Sequence, residues 1–487
     1  MSEGPTFKNH LHTLCNRYPH VARPLRPVVP WLYDWEARHA WRELEEQQNW
    51  STKVPETERV EVVAIWVVEL YTPATIDDLL QKLRDRQHAR TPAELDNRLA
   101  EQILRLRVNG LGGGGQRVFH GVDPAPAPLP PGVPARLPKS FDWIDVWFLG
   151  VSSTITAMVA MFLPSPVAAL SLDRALRRDY RTYSYWSEGG IGTRPPFHAK
   201  QEAVRMARVE LRKEASSWIA NHMPGVFSAG LLNGLMPSCE LIATKEGEPR
   251  DQDYDPSWAP DYIDAAGLST QLGWTHLRAP SLRLQLPLGT PYLGEDYSIR
   301  LASREQDLID HFSRRQSSTA DAAIWLRRPI QELLTRWSIC LLLEGWQQRL
   351  AKIRDLAKLN VTRNNAIQQL DQMRADVLTA GIDVAICSED IRGILQLPQW
   401  SGSGTIDDDF VSRSDSEHSL LEELSSRVQQ QLDPTVESAE RLRRVIDMTG
   451  NLIAARSNLL LQRWAVILAC LSTIVAITAI IIASIQH

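Results

Sequence analysis

Apolar and polar positions divide the chain into a strand-rich first part and a helical second part. The segment Val60–Tyr71 (VEVVAIWVVELY) is β-branched and almost continuously apolar, which predicts a strand buried on both faces. Helices are predicted over Thr75–Arg86 and from the capping sequence Thr91-Pro92-Ala93-Glu94 to about Arg107. A helix around 35–48, among Trp31, Trp35, Trp41 and Trp50, precedes them. The run Trp147–Pro164 is broken by Gly150, Ser152, Ser153, Thr154 and Thr156. Its Val, Thr and Ile content fits two strands, at about 141–149 and 153–163, better than a second membrane span. A helix follows at about 171–183. A longer one, about Phe197–Asn221, repeats Val204, Ala207, Leu211, Ala215 and Trp218 at spacings of three and four. Strands are expected at 239–244, 281–286 and 297–301, with a polar, turn-rich stretch at 246–280 between them.

From about Ser303 the pattern is helical. Residues 319–357 carry Ile330, Leu334, Trp337 and Leu341 on one stripe, with Pro329 placed to start or kink the helix. A helix at about 361–379 is expected to end at Gly381. Residues 400–418 read as a solvated loop. The last element starts near Ser419, with Pro434 as a break. Val445, Met448, Leu452, Ala455 and Leu459 then form a heptad-like seam, flanked by Ile446, Thr449, Ile453 and Leu460. This seam either packs on the chain's own helices at 319–379 or joins copies of the chain, and the two are compatible.

The seam leads into Trp464–Ile485 (WAVILACLSTIVAITAIIIASI), which contains no charged residue. At the rise of an α-helix it extends about 33 Å, against a hydrocarbon core of about 30 Å. The expectation is one C-terminal transmembrane helix. Ala465 and Ala469, and Ala479 and Ala483, give the small-residue spacing that lets helices approach; Trp464 and Ile485 bound the span. Arg441, Arg443, Arg444, Arg456 and Arg463 precede it, and Gln486 and His487 follow, which predicts a cytoplasmic N-terminal part and post-translational insertion.

The fold class expected is thus an α+β cytosolic domain, a long helical, coiled-coil-like stalk and a single transmembrane helix. The divisions are an α/β part at 1–108, a Gly/Pro-rich linker at 109–140, an α+β part at 141–302, a helical region at 303–399, the loop at 400–418, the stalk at 419–463 and the span at 464–485.

Charge and composition narrow the partners. A net charge of -5 gives no global basic field, so nucleic acid is not expected. Cys15, Cys239, Cys340, Cys387 and Cys470 are scattered and odd in number, against a disulfide framework. The N-terminus lacks a basic start followed by an apolar run, so no signal peptide is expected.

Candidate chemistry is sparse. Gly110–Gly115 (GLGGGG) lacks the Lys-Ser/Thr of a phosphate loop and runs into a Pro-rich stretch, not a helix. Asp251, Asp253 and Asp255 open like a calcium loop, but Pro256 and Tyr262 stand where Gly and Glu are needed. His10, His12, Cys15 and His20 are metal-compatible ligand types in no recognised spacing. Glu61 and Glu69 read as strand-end or edge residues. No catalytic, cofactor or metal residue is assigned.

The order of parts, carried by the stalk seam Val445–Leu460 and its junction Leu461-Gln462-Arg463-Trp464, resembles CorA-type divalent-cation transporters. The resemblance implies a homopentamer with stalk helices lining a pore. That family has two spans with a Gly-Met-Asn signature between them; neither the second span nor the signature is present here.

The reading is a membrane-anchored, non-enzymatic binding or interaction module. Its partners are a lipid bilayer, further copies through the stalk, and an unidentified protein or small molecule. The alternatives are a CorA-like channel or membrane-perturbing effector gated by the cytosolic domain, and a membrane-tethered enzyme with a dispersed site.

Overall fold

The computed structural model describes residues 28–88, 97–109, 115–122, 137–187, 190–232, 236–251, 261–270, 273–287, 297–313, 318–359, 366–396, 409–412 and 419–485. Two compact units are formed. The first comprises residues up to Leu341 together with Gly393–Ser426; the second comprises Leu342–Arg392 and the chain from Arg427.

The first unit is built on a nine-stranded sheet. Its strands are β1 Val60–Tyr71, β2 Gly115–Val122, β3 Phe141–Gly150, β4 Thr156–Pro164, β7 Ser238–Thr244, β10 Gly273–His276, β11 Arg283–Gln285, β12 Ser298–Arg304 and β13 Phe410–Ser412, in the order β13-β10-β11-β12-β7-β1-β4-β3-β2. Outside the sheet, β5 Tyr183–Ser187 pairs with β6 Gly190–Arg194, and β8 Arg250–Asp251 with β9 Ser269–Thr270. Only β7 and β12 run parallel within the large sheet; its other pairs are antiparallel.

β1 is central, between β4 and β7, and all its residues but Glu61 are buried. Its unbroken apolar run is what a strand covered on both faces requires. One face is covered by helix α6 Pro196–His222, whose Trp218 stands edge-on to Phe162 of β4 at 5.9 Å. The other is covered by helix α9 Thr319–Leu359: Arg327 donates to Asp145 of β3 at 2.7 Å, and Trp337 donates its indole N–H to the Tyr297 carbonyl at 3.3 Å. Helices α1 Val28–Ser51, α2 Ile76–His88, α3 Asn97–Asn109, α4 Pro166–Ala169, α5 Ser171–Leu176, α7 Tyr262–Ala265 and α8 Glu305–Phe312 complete the elements up to α9.

The second unit holds the end of α9, most of α10 Ala366–Leu395 and the greater part of α11 Leu420–Ile485. Leu342, Leu343, Trp346 and Leu350 of α9, Val384, Cys387 and Ile391 of α10, and Val428, Leu432, Ala439 and Leu442 of α11 are buried. Gln347 donates to the Gln431 carbonyl at 3.1 Å and to Thr435 Oγ1 at 2.9 Å, tying α9 to α11. Arg392 of α10 pairs with Asp433 of α11 at 2.8 Å.

Several expectations change. Among the described residues no helix is long and apolar enough to cross a membrane, which overturns the single C-terminal transmembrane helix at Trp464–Ile485. The apolar run is the end of the 66-residue helix α11, and side chains are described in it only as far as Val475. The fold is therefore α+β with a long terminal helix. A single-pass membrane placement with a cytoplasmic N-terminus, inferred from the arginines ahead of that run, is not supported. Ala465 and Ala469 are exposed on α11; Ala479, Ala483 and Ile485 belong to the same helix, with side chains outside the described residues.

Smaller differences have local causes. Gly115–Val122, inside the predicted linker, adds β2 to the sheet edge by pairing with β3. Gly381 lies inside α10 in open space and does not end it. An exposed helical glycine costs only about 1 kcal/mol, which the buried residues on either side outweigh. Pro434 likewise sits within α11 without stopping it. The predicted helix at 171–183 ends at Leu176, and β5 follows. The capping sequence at Thr91 and the His10, His12, Cys15 and His20 group lie outside the described residues.

Candidate functional site

The site begins with α1. Its side chains hydrogen-bond main-chain groups of the segment leading into β5. Asp34 accepts from Ser184 N at 2.7 Å, and Glu45 accepts from Thr182 N at 2.7 Å. Asn49 accepts from Tyr180 N at 3.0 Å and donates to the Tyr180 carbonyl at 2.8 Å. Gln48 accepts from Phe197 N, at the start of α6, at 3.2 Å. In sequence these polar positions resemble a solvated helix face; in the fold they satisfy backbone that the sheet does not reach.

Between α1 and residues 176–182 lies a cleft of about 1180 Å³, floored by Lys200 of α6 and lined by Trp41, Trp50, Lys53, Tyr180 and Arg181 among others. Lys200 is 1% exposed. Its Nζ donates to Thr52 Oγ1 at 3.0 Å and to the Thr52 carbonyl at 3.2 Å. Burial lowers its pKa, and the charge of Asp179 partly restores it. Thr52 is held in turn: its hydroxyl donates to the Gln48 carbonyl at 2.6 Å. Trp50 is 80% exposed at the mouth. The cleft thus combines aromatic surface with a buried ammonium, a usual composition for a ligand site.

Four buried carboxylates elsewhere in the unit hold the fold. Glu58 accepts from Lys245 N at 2.7 Å, Gly247 N at 2.6 Å and Tyr262 Oη at 2.7 Å. Burial would raise its pKa, but these bonds outweigh it and keep the group below the ordinary range. Glu69, read from sequence as an edge residue, is fully buried on the central strand. It accepts from Phe227 N at 2.8 Å and Ser228 N at 2.9 Å, and burial raises its pKa.

Glu240 of β7 is fully buried among Arg208 and Arg212 of α6 and Arg300 of β12. Burial opposes its ionisation, yet the three guanidinium charges bring its pKa down to about 2. Asp145 is fully buried against Arg327, whose guanidinium also stacks 4.8 Å from the Trp147 ring centroid.

The stalk positions lie on α11. Val445 and Met448, beyond buried Leu442, are 46% and 59% exposed. Leu452, Ala455 and Leu459 belong to the same helix, with side chains outside the described residues. Arg441, Arg443, Arg444 and Arg463 are exposed on it, and Arg456 has no described side chain. Trp464, Val466, Ile467, Leu468, Leu471, Ile474 and Val475 are all exposed.

Among the described residues no group of three or more His, Cys, Asp or Glu is placed to hold a metal ion. Sequence reasoning missed the cleft, because Lys200, Thr52 and Tyr180 are brought together only by the packing of α1 on α6 and on the segment before β5. The recurrence of Trp41 and Trp50 in the first helix was the one signal that pointed there. No family model, curated protein or solved structure matches the chain, so the likeness to CorA-type transporters rests on layout alone, with no family evidence for it or for a coiled coil.

Proposed function

We propose that the chain is a non-enzymatic binding module that self-associates through α11, with the first unit taking up a ligand. The observation that carries this reading is the exposed apolar surface along the later part of α11. On α11, Val428, Leu432, Thr435, Ala439 and Leu442 follow at spacings of four and three and are buried. Beyond Leu442, Val445 and Met448 are exposed, and so is the apolar stretch Trp464–Val475. A helix that is apolar on every side needs cover, and an exposed apolar surface of this extent marks an interaction face. The same helix of a second copy supplies a matching surface and the same spacing.

Support for binding over catalysis comes from the cleft. Three of its five carboxylates are engaged: Asp34 and Glu45 accept from main-chain amides, and Glu46 pairs with Arg42 at 3.1 Å. Such groups position a backbone and are not poised to move a proton.

Co-purification of two differently tagged full-length copies tests the association. The wild-type copies are expected to co-purify, and Leu468→Asp with Ile474→Asp is expected to abolish it. These positions are exposed, so the folded chain should persist. Capture of single copies by lipid vesicles, with no co-purified partner, would overturn the reading.

A further inference from the structure

We propose that the cleft beside α1 is a binding site for a small organic anion, a carboxylate or phosphate carried on an aromatic body, with Lys200 as its anchor. The inference rests on the binding-module reading and names the ligand class.

Lys200 is the first reason. An ammonium has three donors, and Thr52 accepts from two of them. No carboxylate lies within ion-pair distance of it among the described residues. A buried cation without a paired anion is costly, and an anionic ligand in the adjoining space would relieve that cost.

The second is a polar group left over in a cleft whose charges balance. Arg42 is engaged by Glu46, and Arg177 by Asp173 at 2.6 Å and by the Glu58 carbonyl at 2.5 Å. Asp34 and Glu45 are held by amides. Over the whole lining five basic side chains face five carboxylates, so the charges balance and Lys200 stands out by its burial. Thr182 also lines the cleft; it is 7% exposed, and among the described residues its hydroxyl has no hydrogen-bond partner.

The third reason is shape. A cleft of about 1180 Å³ is too large for a bare inorganic ion and is walled by Trp41, Trp50 and Tyr180. Covering the exposed Trp50 indole would add apolar burial to the charge interaction.

Isothermal titration of the full-length chain with phenyl phosphate, benzoate and inorganic phosphate tests this. At least one aromatic anion is expected to bind, at least ten times more tightly than inorganic phosphate. The stronger of the two identifies phosphate or carboxylate as the preferred headgroup. Lys200→Met should weaken binding at least tenfold, and Lys200→Arg should recover part of it. Because Lys200 is buried, the exposed charge reversal Arg181→Glu serves as the second variant and should weaken binding several-fold with an unchanged melting temperature. Binding to the association-deficient Leu468→Asp, Ile474→Asp chain should equal wild type, so a failure of self-association is distinguishable from a failure here. Failure of both aromatic anions to bind, or affinities in Lys200→Met and Arg181→Glu equal to wild type, would overturn the proposal.

Discussion

Replacing Glu240 by Gln keeps the shape of the side chain and removes a negative charge that faces Arg208, Arg212 and Arg300. The carboxyl is held at about 2 in the folded chain, against an ordinary value of 4.5. At about 1.4 kcal/mol per tenfold, that difference corresponds to about 3 kcal/mol of stability. Breaking a buried pair by removing one partner costs about 3–5 kcal/mol, in agreement. Because the folded value lies below the unfolded one, this stabilisation is complete above about pH 5 and disappears as pH falls toward 2. Urea unfolding of the full-length wild type and of Glu240→Gln, followed by near-ultraviolet dichroism, should show a gap of about 3 kcal/mol at pH 6 that narrows steadily on acidification. Other carboxylates titrate in both chains and cancel in the comparison. A gap below about 1 kcal/mol at pH 6, or one that does not change with pH, would refute the role assigned to the three arginines.

Two further outcomes follow from contacts in the first unit. Gly225→Ala would bring a methyl group to 2.5 Å from the Leu70 carbonyl oxygen and 2.6 Å from Glu69 Cγ. Backbone on the central strand cannot yield cheaply, so a loss of about 1–3 kcal/mol is expected in thermal unfolding. Arg327→Met removes the guanidinium from fully buried Asp145 and should cost about 3–5 kcal/mol in urea unfolding.

Some of this structure is legible in the sequence. β1 was readable because a strand covered on both faces has no polar alternation to hide it, and α6 because its buried positions recur every three or four residues. The strand pair β3–β4 was separable from a membrane span by its interrupting Ser and Thr. What could not be read depends on partners far away in the chain. Glu69 is satisfied by amides at 227 and 228, and Glu240 by an arginine 32 residues before it and another on β12. Neither pairing leaves a local pattern. Pro434 removes one helical hydrogen bond, but the buried Val428, Leu432, Thr435 and Ala439 hold α11 together through it. The cleft was hidden for the same reason: Asp34, Glu45 and Asn49 are polar positions whose partners are main-chain atoms more than a hundred residues away.

Self-association through α11 is tested most directly by the native mass of the full-length chain, measured by sedimentation beside the Leu468→Asp, Ile474→Asp variant. A wild-type assembly of more than one copy, reduced to a folded monomer in the variant, is the predicted result. A wild-type monomer, or an assembly that the substitutions leave intact, would contradict it.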